Sequence, residues 1–82
     1  GIRVNIIHPN AVFDTGIWSE DILNKRAENY HLTVEEYKKN NLLKTEIKSK
    51  DVAELITQMC GPGFSKTTGA QVSIDGGNER VI

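Results

Sequence analysis

The chain opens on Ile2, Val4, Ile6 and Ile7, β-forming side chains without clean alternation, the pattern of a parallel strand covered on both faces. A first strand is predicted from Ile2 to His8. Pro9 has no N–H to give to a ladder, so the strand ends in a Pro9-Asn10 turn. Asp14 to Gly16 read as a polar turn, and Ile17 to Asn29 have a helical composition with Ile17, Ile22, Leu23 and Ala27 as apolar points. Thr33 with Glu36 three residues later forms a capping box, which predicts a short helix through Lys39 with Val34 and Tyr37 behind the cap. Asn40-Asn41 ends it, and Leu42 to Lys48 read as an irregular connector. Ser49 as N-cap and Asp51 in the first turn then open a helix reaching about Met59. Its Val52, Leu55, Ile56, Met59 and Cys60 make one apolar stripe. Gly61-Pro62-Gly63 stops that helix, and a second strand is predicted from Ala70 to Ile74, closed by Asp75-Gly76-Gly77.

Two strands joined by a helical crossover define an α/β class with parallel strands and a right-handed connection. In open parallel sheets the ligand crevice lies outside the carboxyl ends of the strands, so Asn10 to Thr15 are placed to line it. The interval from Pro9 to Ser49 is longer than a crossover needs. Oversized insertions beside such crevices are commonly lids.

At 82 residues the chain makes one small domain at most, with a large share of its surface wet. One cysteine excludes an internal disulfide, and two scattered histidines suggest no metal site. Gly1 runs directly into strand sequence with no methionine, cap or turn, so the chain is expected to be a single fragment, 1–82, of a longer protein. A net charge of −1 with interspersed signs offers no field to draw nucleic acid or an anionic membrane. No apolar run approaches the roughly 20 residues needed to span a bilayer. A cytoplasmic, reducing setting is the default expectation.

Two motifs in order carry a resemblance. Ile2-Arg3-Val4-Asn5 followed by Pro9 and Val12, and then Thr68-Gly69-Ala70 leading into Val72-Ser73-Ile74-Asp75-Gly76-Gly77, resemble the last third of short-chain dehydrogenases/reductases. Within that family, Gly16-Ile17-Trp18, Glu35-Glu36-Tyr37 and Leu42-Leu43-Lys44 look most like the dehydrogenase half of bifunctional rhamnulose-phosphate aldolase/alcohol dehydrogenases. The resemblance implies the C-terminal part of a Rossmann-like doubly wound parallel sheet, binding NAD or NADP and a small hydroxy-carbonyl substrate such as lactaldehyde. It implies that Pro9, Asn10, Ala11 and Val12 form the nicotinamide-side wall, the Val12 backbone meeting the carboxamide. A threonine just beyond contacts the pyrophosphate in the family. Thr15 lies one position later than usual with Asp14 in its place, and Asp14 is expected to turn away from phosphate. Asn10 stands where a glycine is common, a substitution eased by asparagine's tolerance of left-handed backbone.

The Pro9–Ser49 interval corresponds to the family's mobile substrate flap. Phe13 and Trp18 are candidates to close over the substrate there, or else they are core anchors. His8 and His31 read as ordinary histidines and Cys60 as a buried inert thiol. No catalytic residue is assigned. The family's proton donor is a tyrosine with a lysine four residues on, whereas Tyr30 is followed at that spacing by Val34 and Tyr37 by Asn41. A glycine-rich phosphate turn is also missing, since Gly61-Pro62-Gly63 follows a helix and reads as its stop. The fragment alone is therefore expected to be inactive. The resemblance also implies pairing through the Val52–Cys60 helix and the last strand, so a homo-oligomer is the expected assembly. The competing reading is a self-standing module that binds a partner helix through that same stripe.

Overall fold

A computed structural model describes residues 1–78. Strand β1 (Ile6–Pro9) is followed by helices α1 (Glu20–Asn29), α2 (Val34–Lys38) and α3 (Ser49–Met59), a 3-10 turn at Pro62–Phe64, and strand β2 (Gln71–Ile74). The two strands pair in parallel, Ile6 opposite Gln71 and Pro9 opposite Ile74. This arrangement is part of a Rossmann-like α/β sheet, as the apolar segments predict.

β1 is shorter than its composition suggests. Residues 2–5 lie outside the ladder but are tied to the segment before β2: the Val4 N–H donates to Thr68 Oγ1 at 3.1 Å, and the Gly69 N–H donates to the Val4 carbonyl at 2.8 Å. Asn5 fills the gap with both ends of its amide. Its Nδ2 donates to the Thr67 carbonyl at 3.2 Å, and its Oδ1 accepts the Ala70 N–H at 2.9 Å. Arg3 reaches further, donating to the carbonyls of Met59 and Phe64. Helix α3 has no basic residue of its own in its last turn, and Arg3 supplies the positive charge that its C-terminal carbonyls favour.

The helices follow local signals with small displacements. α1 begins at Glu20 rather than Ile17, because Ser19 is the better cap: its hydroxyl accepts the Ile22 N–H, and Glu20 and Asp21 face the positive end of the dipole. It ends in a Schellman turn with His31 left-handed at φ 57°; Leu32 donates to the Ala27 carbonyl and His31 to that of Glu28. α2 carries the predicted capping box, with Thr33 and Glu36 exchanging bonds of 3.0 and 3.1 Å. α3 is capped differently from the expectation. Lys48 is its N-cap and Ser49 its first helical residue, since Asp51 Oδ2 accepts the Lys48 N–H at 2.8 Å. The lone ion pair on α3, Lys50 with Glu54 at 3.8 Å, is exposed and contributes little.

Phe13, Leu23, Ala27, Ile47 and Met59 form the buried apolar set. The α3 stripe is only partly covered: Met59 is buried, Val52 and Leu55 are half-buried, and Ile56 is exposed. Cys60 is exposed and free, which corrects the expectation of a buried thiol. It lies on the flank of the stripe, where Arg3, Asn5, Ile7, Ile56 and Met59 line an open groove of about 450 Å³. Ile2 is 90% exposed and Val4 64%. With a Cα radius of gyration of 15.1 Å, against roughly 12 Å for a compact chain of this length, the fold is a slab with an open sheet.

Replacing Asn5 by alanine strands the Ala70 N–H and the Thr67 carbonyl where the strands meet. The expected loss is about 1–3 kcal/mol, read as a lower urea midpoint at unchanged slope. An unaltered midpoint would show that the amide bridge is dispensable.

Candidate functional site

Parallel pairing puts the carboxyl ends of both strands, Pro9 and Ile74, at the same edge of the sheet. The loop Asn10–Thr15 and the turn Asp75–Asn78 leave side by side from that edge. Asn10, Phe13, Asn41, Ile47, Asp75 and Asn78 line a cavity of about 20 Å³ between them.

The loop after β1 is held from within. Thr15 donates to the Val12 carbonyl twice, from Oγ1 at 2.8 Å and from its N–H at 3.4 Å. Trp18 N–H continues the turn onto the Thr15 carbonyl at 3.1 Å. The left-handed residue of the loop is Ala11, at φ 44°, and not Asn10 as expected. A Cβ in that region costs about 1–2 kcal/mol, and such strain is found where surrounding contacts over-determine the backbone. With the Val12 carbonyl occupied by Thr15, the Val12 N–H has no backbone acceptor among the described residues.

Asp14 points to the start of α3. Its Oδ1 accepts the Ser49 N–H and its Oδ2 the Ser49 hydroxyl, both at 2.9 Å. The carboxylate thus caps the helix that the sequence assigned to Ser49, from 35 residues away. The Ser49 N–H, then the Ser49 hydroxyl, hold the Asp14 carboxyl below the usual carboxylate range. Glu36 is lowered in the same way by the N–H and hydroxyl of Thr33.

Phe13 is buried and Trp18 half-buried, their rings edge to face at 4.7 Å between centroids. Tyr37 of α2 approaches Phe13 at 5.5 Å, and Tyr30 stacks on Tyr37 at 5.8 Å. Of the two alternatives left open by the sequence, Phe13 takes the role of core anchor, and it ties the loop to the helical excursion. His8 Nε2 meets Gln71 Oε1 across the strands at 3.2 Å, and His31 serves as the helix stop of α1. Among the described residues, no three His, Cys, Asp or Glu side chains gather to hold a metal, and no helix is long and apolar enough to cross a membrane.

Sequence reasoning missed Asn41 and the pairing of Asp14 with Ser49. Asn41 is buried, its Nδ2 donating to the Thr45 carbonyl at 2.7 Å while its Oδ1 accepts the Thr45 N–H at 3.2 Å. The visible signal was a doubled asparagine after a helix, which reads as a stop and carries no sign of burial.

The fold defines a Rossmann-like α/β class, with the Asn10–Thr15 loop and the Asp75–Asn78 turn at the carboxyl ends of its paired strands. Comparison places it more closely: a short-chain dehydrogenase family model, described as enoyl-(acyl carrier protein) reductase, matches residues 1–79. The chain belongs to the short-chain dehydrogenase/reductase family. An uncharacterized oxidoreductase, YuxG of Bacillus subtilis (strain 168), is 35% identical over 82 residues, covering 94% of this chain. The chain spans 12% of the length of that relative. No solved structure matches it.

Acid should open the clasp between Asp14 and Ser49. A carboxyl with a lowered folded-state pKa adds stability above its unfolded value, about 3.9, and loses that contribution as pH falls through the lower folded value. The Ser49 amide resonance is therefore expected to shift below about pH 4 in the native protein and to stay flat in Asp14→Asn. A flat titration in both would exclude the clasp.

Proposed function

We propose that this chain forms the nicotinamide-side rim, substrate flap and part of the subunit interface of an NAD(P)-dependent oxidoreductase. The observation that carries the reading is the parallel register that sets Pro9–Val12 beside the Asp75–Asn78 turn at the carboxyl edge. Membership of an oxidoreductase family and likeness to an oxidoreductase support it.

The residues present suit one half of that task. Pro9 ends the ladder, Ala11 is left-handed, and the Val12 N–H has no backbone acceptor among the described residues, which makes it the donor proposed for a flat carboxamide. The nicotinamide supplies the hydride exchange when bound. Thr15 is a weaker fit to a phosphate, because its single hydroxyl proton is directed at Val12. A phosphate contact there requires that hydroxyl to rotate and give up the bond. Phe13 and Trp18 then act together, Phe13 as the anchor and Trp18 as the flap's partly open face, keeping water from the reacting carbon. Neither Tyr30 nor Tyr37 moves a proton in this scheme. They stack on one another and no lysine follows at the required spacing.

The finer assignment is the dehydrogenase half of a bifunctional rhamnulose-phosphate aldolase/alcohol dehydrogenase, with lactaldehyde or a similar hydroxy-carbonyl compound as substrate. The residues Gly16-Ile17-Trp18 and Leu42-Leu43-Lys44 support it, and the small share of the YuxG relative that this chain spans is in keeping with a multi-part protein.

The full protein is expected to change absorbance at 340 nm with NAD or NADP and lactaldehyde, whereas residues 1–82 alone should show no turnover. Failure of the full protein to bind either nucleotide would end this reading. Exposed Ile2, Val4, Ile6 and Ile56 support self-association. The 82-residue chain should accordingly run as a dimer or larger by light scattering at micromolar concentration, and a monomeric mass would remove the interface from the scheme.

A further inference from the structure

Residues 40–43, in the connector between α2 and α3, lie directly on the turn that follows β2. The Leu43 N–H donates to the Gly76 carbonyl at 3.0 Å, and Asn78 Nδ2 donates to the Asn40 carbonyl at 3.1 Å. Asn41 packs its buried amide against Gly76 so tightly that a Cβ there would fall 2.5 Å from its Cγ and Oδ1. A Cβ on Gly77 would come within 3.0 Å of the Leu42 side chain. Both glycines are also left-handed, at φ 63° and 83°. Four consecutive residues of the excursion thus dock on three of the turn, through main-chain bonds and a shape that only glycine allows.

We propose that Gly76-Gly77 is a seat that latches the helical excursion down over the carboxyl edge of the sheet. The seat explains why this turn needs two glycines. A reversal after a strand can be made with one left-handed residue, but here the second face is needed to admit Asn41 and Leu42. Asn41 also closes its own loop, its amide bonding the Thr45 carbonyl and N–H on either side of left-handed Lys44, φ 53°. The clasp joins Asp14 to the first turn of α3, whereas the seat holds residues 40–43 of the span between them.

Seated, the excursion leaves only about 20 Å³ at the rim, enough for one water. The seat stands on this packing alone, apart from the nicotinamide reading above.

Trypsin reads the latch without any need for activity, because Lys38, Lys39 and Lys44 flank the docked segment. In the full protein, Gly76→Ala is expected to raise the cleavage rate at these lysines about tenfold, as local opening becomes populated. Gly69→Ala is the control, since Gly69 has the same left-handed backbone at φ 73° but open space around its Cβ position. Protection lost in Gly76→Ala and kept in Gly69→Ala supports the seat; equal loss in both, or none in Gly76→Ala, overturns it. Should Gly76→Ala fail to fold, hydrogen exchange of the native protein decides. The Leu43 amide should be protected although the residue as a whole is 73% exposed, and exchange at the unprotected rate rejects the seat. NADH and NADPH binding is titrated separately by fluorescence, so that absence of both defeats the cofactor reading and leaves the latch untouched.

Discussion

The parallel ladder between Ile6–Pro9 and Gln71–Ile74 is the constraint on which the rest of the structure depends. It joins segments more than 60 residues apart, so its closure entropy must be met by contacts that are themselves long-range. Asn5 and Arg3 provide them, the first by completing the ladder where β1 has not yet formed and the second by gripping the ends of α3 and the 3-10 turn. Only when this pairing is in place do the Asn10–Thr15 loop and the Asp75–Asn78 turn become neighbours. That neighbourhood is a consequence of register before it is a property of any one residue.

Above the rim, the helical excursion is organised by a division between local and distant bonds. Ser19, Thr33 and the Schellman turn at His31 build α1 and α2 from their own neighbours. Their docking relies on Phe13, which brings Trp18 and Tyr37 around one buried ring, and on Asp14, which lends its charge to the first turn of α3. Adjacent residues of one loop thus perform the apolar and the ionic part of the same attachment. Where a phosphate-facing threonine is usual in the family, this chain has a carboxylate turned to a structural task.

The open sheet gives the chain a second character. A strand with the composition of Ile2 to Ile7 is suited to cover on both faces, yet Ile2, Val4 and Ile6 are all exposed, and the groove beside α3 is open. Such surface is the natural place for further structure or for another copy to pack. The family match covers nearly the whole chain, which spans 12% of the length of its relative.

Much of the element order could be read from the residues, because caps, breakers and apolar spacing act within a few positions: the Thr33–Glu36 box, the stop at Gly61-Pro62-Gly63, a second strand ending at Ile74 and a first strand expected to end at His8 that ends one residue later at Pro9. The family resemblance and the parallel sheet were legible for the same reason, as short ordered motifs. Tertiary structure alone decided which cap won at α3, where Ser49 gave up its hydroxyl to Asp14. It also decided that Cys60 stays exposed, that Ala11 rather than Asn10 bears the strain, and that Phe13 turns inward. Two of these rest on distant partners: Asp14 caps Ser49 from 35 residues away, and Phe13 meets Tyr37 of α2. A pattern along the chain records which side chains can bury or bond, and only the closed ladder determines which of them meet.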